Sequence, residues 1–114
     1  MRSRAVTLSR RLTLEQPARS PDGAGGYSKG WAPVGTLWAE VLPGRPTDRA
    51  LPAATRATLP LRITVRAAAP GSASRPRAGQ RFREGPRVFP IEAVAESDPL
   101  GRFLLCHAYE EGAS

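Results

Sequence analysis

The residues best suited to chemistry in this chain are Cys106 and His107, which stand side by side and are the only cysteine and the only histidine. A thiol and an imidazole could form a nucleophile–base pair, the minimum a hydrolase or transferase of that type needs. Their setting argues against it. Cys106 ends the apolar run Phe103-Leu104-Leu105-Cys106, of strand character, His107 follows it in the same strand, and neighbouring residues of a strand point to opposite faces. Cys106 therefore reads as a buried structural thiol and His107 as a structural or surface residue. A single cysteine excludes an internal disulfide and a multi-cysteine zinc site. The ten carboxylates are scattered without metal-ligand spacing. Gly23, Gly25 and Gly26 could cradle a phosphate, but no helix N-terminus follows them. The residues for catalysis are not assembled, and neither a metal nor a cofactor is expected.

Charge is the other chemical resource. Lys and Arg number 17 against 10 acidic residues, giving a net charge of +7, and Lys29 is the single lysine. The arginine fork suits bidentate recognition of phosphate or carboxylate. Arg, Ala, Gly and Pro are also the residues that GC-rich codons favour. The excess is thus open to two readings, a polyanionic partner or genome composition, because net charge informs association rather than fold.

The elements that must position these groups are strands. With 114 residues the chain forms one domain, and 12 Pro with 11 Gly favour a compact β module with irregular loops. Residues 58–66 alternate strictly, with Leu59, Leu61, Ile63 and Val65 on one face. Residues 88–95 form a second strand, with Phe89, Ile91, Ala93 and Ala95 sharing a face. Pro90 marks it as an edge strand or the site of a bulge. Residues 102–109 form a third strand, joined to the second by the turn Asp98-Pro99-Leu100-Gly101. Residues 36–42 place Leu37, Ala39 and Val41 opposite Trp38 and Leu42. Residues 11–16 turn Leu12 and Leu14 inward, and residues 27–34 pair with them across the turn Asp22-Gly23-Ala24-Gly25-Gly26.

The fold class is therefore all-β: a small barrel or sandwich of about six strands with a Gly-rich hairpin and a long loop. The domain spans residues 1–114, with an N-terminal arm at 1–10, the long loop at 43–57 and a C-terminal tail at 110–114. Residues 67–78 read as irregular, and residues 50–57 as at most a helical turn because of Pro52. No apolar segment of signal-peptide or membrane-spanning type is expected. Trp31 and Trp38 read as packing residues, since a nucleic-acid barrel would display several aromatics on one face and only 6% of residues here are aromatic.

Six segments in order carry a resemblance. They are Arg11-Leu12-Thr13-Leu14-Glu15-Gln16; the pairs Asp22-Gly23 and Gly25-Gly26 followed by Trp31; Val34-Gly35-Thr36-Leu37-Trp38-Ala39-Glu40-Val41; Arg62-Ile63-Thr64-Val65-Arg66; Gly85-Pro86-Arg87-Val88-Phe89-Pro90-Ile91-Glu92-Ala93-Val94; and Leu104-Leu105-Cys106. Together they resemble the phage head–tail joining family, which includes the head-closure, or stopper, proteins of siphophages. Leu61 stands where many relatives carry a histidine, and Pro86 interrupts the usual Gly-Arg.

The resemblance implies a structural subunit, without enzymatic activity, of the neck of a tailed phage or of a gene transfer agent. Such subunits form a homo-oligomeric ring, of six copies rather than twelve. The ring lies between the portal/adaptor ring and the tail terminator, is assembled in the bacterial cytoplasm, and retains double-stranded DNA in its channel. The loop 43–57 matches the channel-facing loop in position, which would place Arg45, Arg49 and Arg56 along the lumen, opposite duplex phosphates. The other reading pairs these arginines with acidic neighbouring rings or leaves them solvated. Tyr27, Trp31 and Trp38 are the candidates for a ring interface, where aromatics are enriched. The arm and the hairpin are expected to order on adjacent rings. The alternatives are a tail terminator or another neck ring, and a free-standing nucleic-acid-binding barrel.

Overall fold

A computed structural model describes residues 5–45 and 59–111. These hold six strands: β1 (Arg10–Pro21), β2 (Tyr27–Pro43), β3 (Leu59–Arg66), β4 (Arg81–Glu84), β5 (Arg87–Glu96) and β6 (Phe103–Glu110). All pairings are antiparallel, and the sheet closes in the order β1-β2-β3-β6-β5-β4, so the expected small β-barrel is what forms. The described residues contain no helix.

The interior follows from alternation. Leu12 and Leu14 of β1, Ile63 and Val65 of β3, and Leu104 and Cys106 of β6 are all 0% exposed. Phe82 and Phe89 fill the remaining space as the bulkiest fully buried side chains. A core of this size leaves little slack, so each aromatic contributes on the order of 3–5 kcal/mol relative to alanine.

Three expectations change. Residues 27–34 and 36–42 are one strand: β2 runs through Pro33 and Gly35 for 17 residues. Its register against β1 slips there, with Leu14 opposite Gly35 and Glu15 opposite Pro33, which leaves Val34 as the extra residue of a bulge. The sixth strand is instead β4, whose single apolar residue, Phe82, closes the barrel against Leu14 and Phe89. In β5, Ala93 and Ala95 do not share the buried face of Phe89 and Ile91. A register shift between Ile91 and Ala93 inverts the alternation, so both alanines are exposed and Val94 packs on the core. Pro90 accordingly sits one residue before a bulge, in a strand paired on both sides.

The connections behave as their composition requires. Residues 67–80 form no strand, yet Pro76 is fully buried. The segment is tied down by Gly79 N–H to the Ile91 carbonyl (3.1 Å) and Ile91 N–H to the Gln80 carbonyl (2.9 Å). Gly101 N–H closes the turn onto the Asp98 carbonyl at 3.0 Å. Arg10, the last residue of the expected arm, begins β1. Within the arm, Thr7 N–H donates to the Glu40 carboxylate at 3.0 Å. Pro43 belongs to β2 and Glu110 to β6, and the helical turn at 50–57 lies outside the described residues.

Candidate interaction surface

Only the first part of the β1–β2 hairpin belongs to the barrel. β4 stops at the pair Arg81–Glu15, and β3 accompanies β2 only from Ala39 onward. Residues 16–21 and 27–33 therefore project as a two-stranded ribbon, roughly 20 Å long at about 3.3 Å per residue. At the tip, the Asp22 carboxylate accepts hydrogen bonds from Ala24 N–H (2.8 Å) and Gly26 N–H (3.1 Å), which hold its pKa below the usual value. Gly23 and Gly25 take φ of 81° and 83°, a conformation that side chains with a Cβ resist.

One face of the ribbon carries the chemistry. Cross-strand pairing sets Arg11 against Trp38, Pro17 against Trp31, Arg19 against Lys29 and Pro21 against Tyr27, all on the outward side of the sheet. Tyr27, Trp31 and Trp38 are 64%, 41% and 54% exposed. Neither tryptophan is a core residue, because each falls on the outward parity opposite Leu12 and Leu14. The Arg19 guanidinium lies 5.6 Å from the Tyr27 ring centre. Pro17, Arg19, Lys29 and Trp31 border a shallow apolar depression between the strands.

The ribbon's base is fixed by Arg81. Its guanidinium stacks over Trp31, and its Nε donates to Glu15, a carboxylate that is itself buried. Arg83 lies 3.7 Å from the other Glu15 oxygen. A second network runs along the barrel rim. Arg10 Nε donates to Glu84 at 3.0 Å, and Arg87 reaches both Glu110 oxygens at 2.8 and 2.9 Å and approaches Glu84 at 3.6 Å. Hydrogen bonding by Arg10 holds the Glu84 carboxyl below its usual pKa, and Arg87 does the same for Glu110.

Of the residues singled out from sequence, the structure thus gathers Tyr27, Trp31 and Trp38 on one face. Arg45 follows the far end of β2 and is exposed, while Arg49 and Arg56 lie outside the described residues. Cys106 points into the core, where burial pushes its thiol up to about 12. His107 faces the other way, with a buried Nδ1 that has no hydrogen-bond partner among the described residues. The two form no dyad. No cluster of metal-ligating side chains occurs among the described residues. Sequence reasoning missed Arg19, Lys29, Arg81 and Glu15, whose roles depend on cross-strand register rather than on local spacing.

Comparison with known proteins agrees with this architecture. The model of the phage head completion protein family matches residues 3–112. A chain from the virion of a native gene transfer agent particle is 49% identical, with a TM-score of 0.74, covering 94% of this chain and 98% of that one. A solution structure of a Shigella flexneri 2a protein is similar in fold, with a TM-score of 0.65 at 21% identity, covering 94% and 96% of the two chains. No curated protein sequence matches. By its sequence over nearly its whole length, this chain belongs to the phage head completion protein family.

Proposed function

We propose that this chain is a structural subunit of the neck of a tailed phage or gene transfer agent, a head-closure protein that works as one copy of a ring. The observation that carries the reading is the 49% identity, across 94% of the chain, to a component of a gene transfer agent virion. The fold supports it in two ways. The barrel is filled by apolar side chains, and among the described residues its compact core carries a ribbon on which Tyr27, Trp31 and Trp38 are exposed.

In this reading the ring continues the DNA channel between the portal/adaptor complex and the tail terminator. The segment from Arg45 to Arg56 faces the lumen, where arginines hold duplex phosphates without reading sequence. Six copies suit a ring of this position better than twelve. The test is to delete the gene from its host and complement it with the wild type or with Arg45, Arg49 and Arg56 all changed to Gln. Deletion is expected to leave filled heads that lose DNA and lack tails. The triple variant is expected to restore assembly but leak DNA before tail joining, and retention equal to wild type would remove the arginines from the channel.

One observation favours a second reading, a free-standing nucleic-acid-binding barrel. Tyr27, Trp31 and Trp38 share a face with Arg11, Arg19 and Lys29, as base-stacking platforms do. Tight, strongly salt-dependent DNA binding by the isolated monomer, with no incorporation into particles, would select it.

A further inference from the structure

We infer that the outward face of the ribbon docks onto a second copy of this chain, at the outer wall formed by β5 and β6. The inference rests on the ring reading and assigns the two surfaces that would meet. Three features of the chain lead to it.

The first is charge. Residues 87–111 hold two arginines against five carboxylates, a net charge of −3 in a chain whose total is +7. Exposed Glu92 and Glu111 border this wall, and exposed Glu96 stands at its end, by the turn at Gly101. The ribbon face presents Arg11, Arg19 and Lys29, so the two surfaces are opposite in sign.

The second is shape. The bulge between Ile91 and Ala93 turns Ala93 and Ala95 outward, and both are exposed. The β5 strip of that wall is consequently low, a step beside the outward Leu105 and His107 of β6 that can receive the bulky rings of Tyr27 and Trp31. Tyr and Trp are enriched at the centre of protein interfaces, where they seat in well-packed recesses of the partner.

The third is position. In the strand order β1-β2-β3-β6-β5-β4, the β1–β2 pair and the β6–β5 pair stand on opposite sides of the barrel. A patch and its complement on opposite sides of one subunit generate a head-to-tail contact, which closes into a ring when the rotation between copies permits. A self-matching patch would stop at a dimer.

The experiment uses assembled particles. Lys29→Cys and Ala95→Cys are introduced together, and the particles are treated with a bismaleimide; native Cys106, 0% exposed, stays unmodified. The expected result is a ladder of covalent multimers of this chain, absent from either single variant. In parallel, Arg19→Glu with Lys29→Glu should cut incorporation into particles about tenfold or more, and Glu92→Lys with Glu96→Lys should restore it. Several results would overturn the inference: a chain incorporated normally without a ladder, cross-links only to other virion proteins, or no rescue by the second charge pair. The neck assignment would stand in all of these. Absence of the wild-type chain from particles would instead overturn the neck assignment itself. Loss of duplex DNA binding on Arg19→Glu with Lys29→Glu, without a ladder, would reassign the face to DNA.

Discussion

The guanidinium carbon of Arg81 lies 4.2 Å from the ring centre of Trp31 while its Nε donates a 2.7 Å hydrogen bond to Glu15. One side chain of the barrel wall thus holds a ring of the ribbon and a carboxylate at the bulge where barrel becomes ribbon. Side-chain exposure is only 15% for Arg81 and 9% for Glu15, so water weakens the pair little. Arg81→Ala leaves the Glu15 carboxylate buried beside Arg83 alone. The variant should lose roughly 2–4 kcal/mol of stability in urea denaturation. In a Trp38→Phe background, Trp31 emission should also shift to the red as its ring is uncovered.

Closure of the barrel depends on the four-residue strand β4, and β4 has one inward residue. Phe82→Ala should therefore cost about 3–5 kcal/mol. Leu59→Ala, at the 54% exposed start of β3, should change stability by less than about 0.5 kcal/mol. Equal effects in thermal or chemical denaturation would mean that β4 does not close the sheet.

Acid should weaken the fold through the rim network. Hydrogen bonds from arginine lower the Glu84 and Glu110 carboxyl pKa values below their ordinary 4.5, so folding is coupled to the charged forms. Stability from these groups is fully present above about pH 4.5 and is lost as pH falls through their lower folded values. The melting temperature should drop over that window, and Glu84→Gln should flatten the drop while lowering the plateau at pH 7. Salt should reduce both effects, since the pairs are partly exposed.

Cys106 should be silent in the native protein. With its pKa raised to about 12 and no exposure, the thiol should not react with a disulfide reagent at pH 8, and should react promptly in denaturant. Cys106→Ser buries a hydroxyl in an apolar interior and should destabilise by about 1–3 kcal/mol in denaturant unfolding.

Much of this architecture is written in local pattern. The alternations through Leu12 and Leu14 and through Leu61, Ile63 and Val65 each match a face that is buried in the barrel. What pattern cannot convey is the neighbour across the sheet. β2 is a single strand through ribbon and barrel, and neither the extra residue Val34 that resets its alternation nor the start of β3 beside Ala39 is announced by the local pattern. β4 offers one apolar residue between charges, a stretch too short for periodicity to register. The bulge after Ile91 inverts Ala93 and Ala95 with no residue to announce it except the nearby Pro90. Trp31 and Trp38 look like core residues by type, yet pairing with Pro17 and Arg11 fixes them outward. Tyr27, Trp31 and Trp38 were therefore recognisable as a set, whereas Arg81 and Glu15, 66 residues apart, were not.

A closed barrel has no strand margin for another molecule to extend, but the ribbon does. From Tyr27 to Trp38, β2 pairs among the described residues with β1 alone, leaving a row of peptide groups able to recruit a foreign strand. Pro33 interrupts that row by withholding a donor, and Lys29 sets a solvated charge beside it. Both features oppose edge-to-edge pairing of the ribbon with another strand, the addition that would otherwise build fibres.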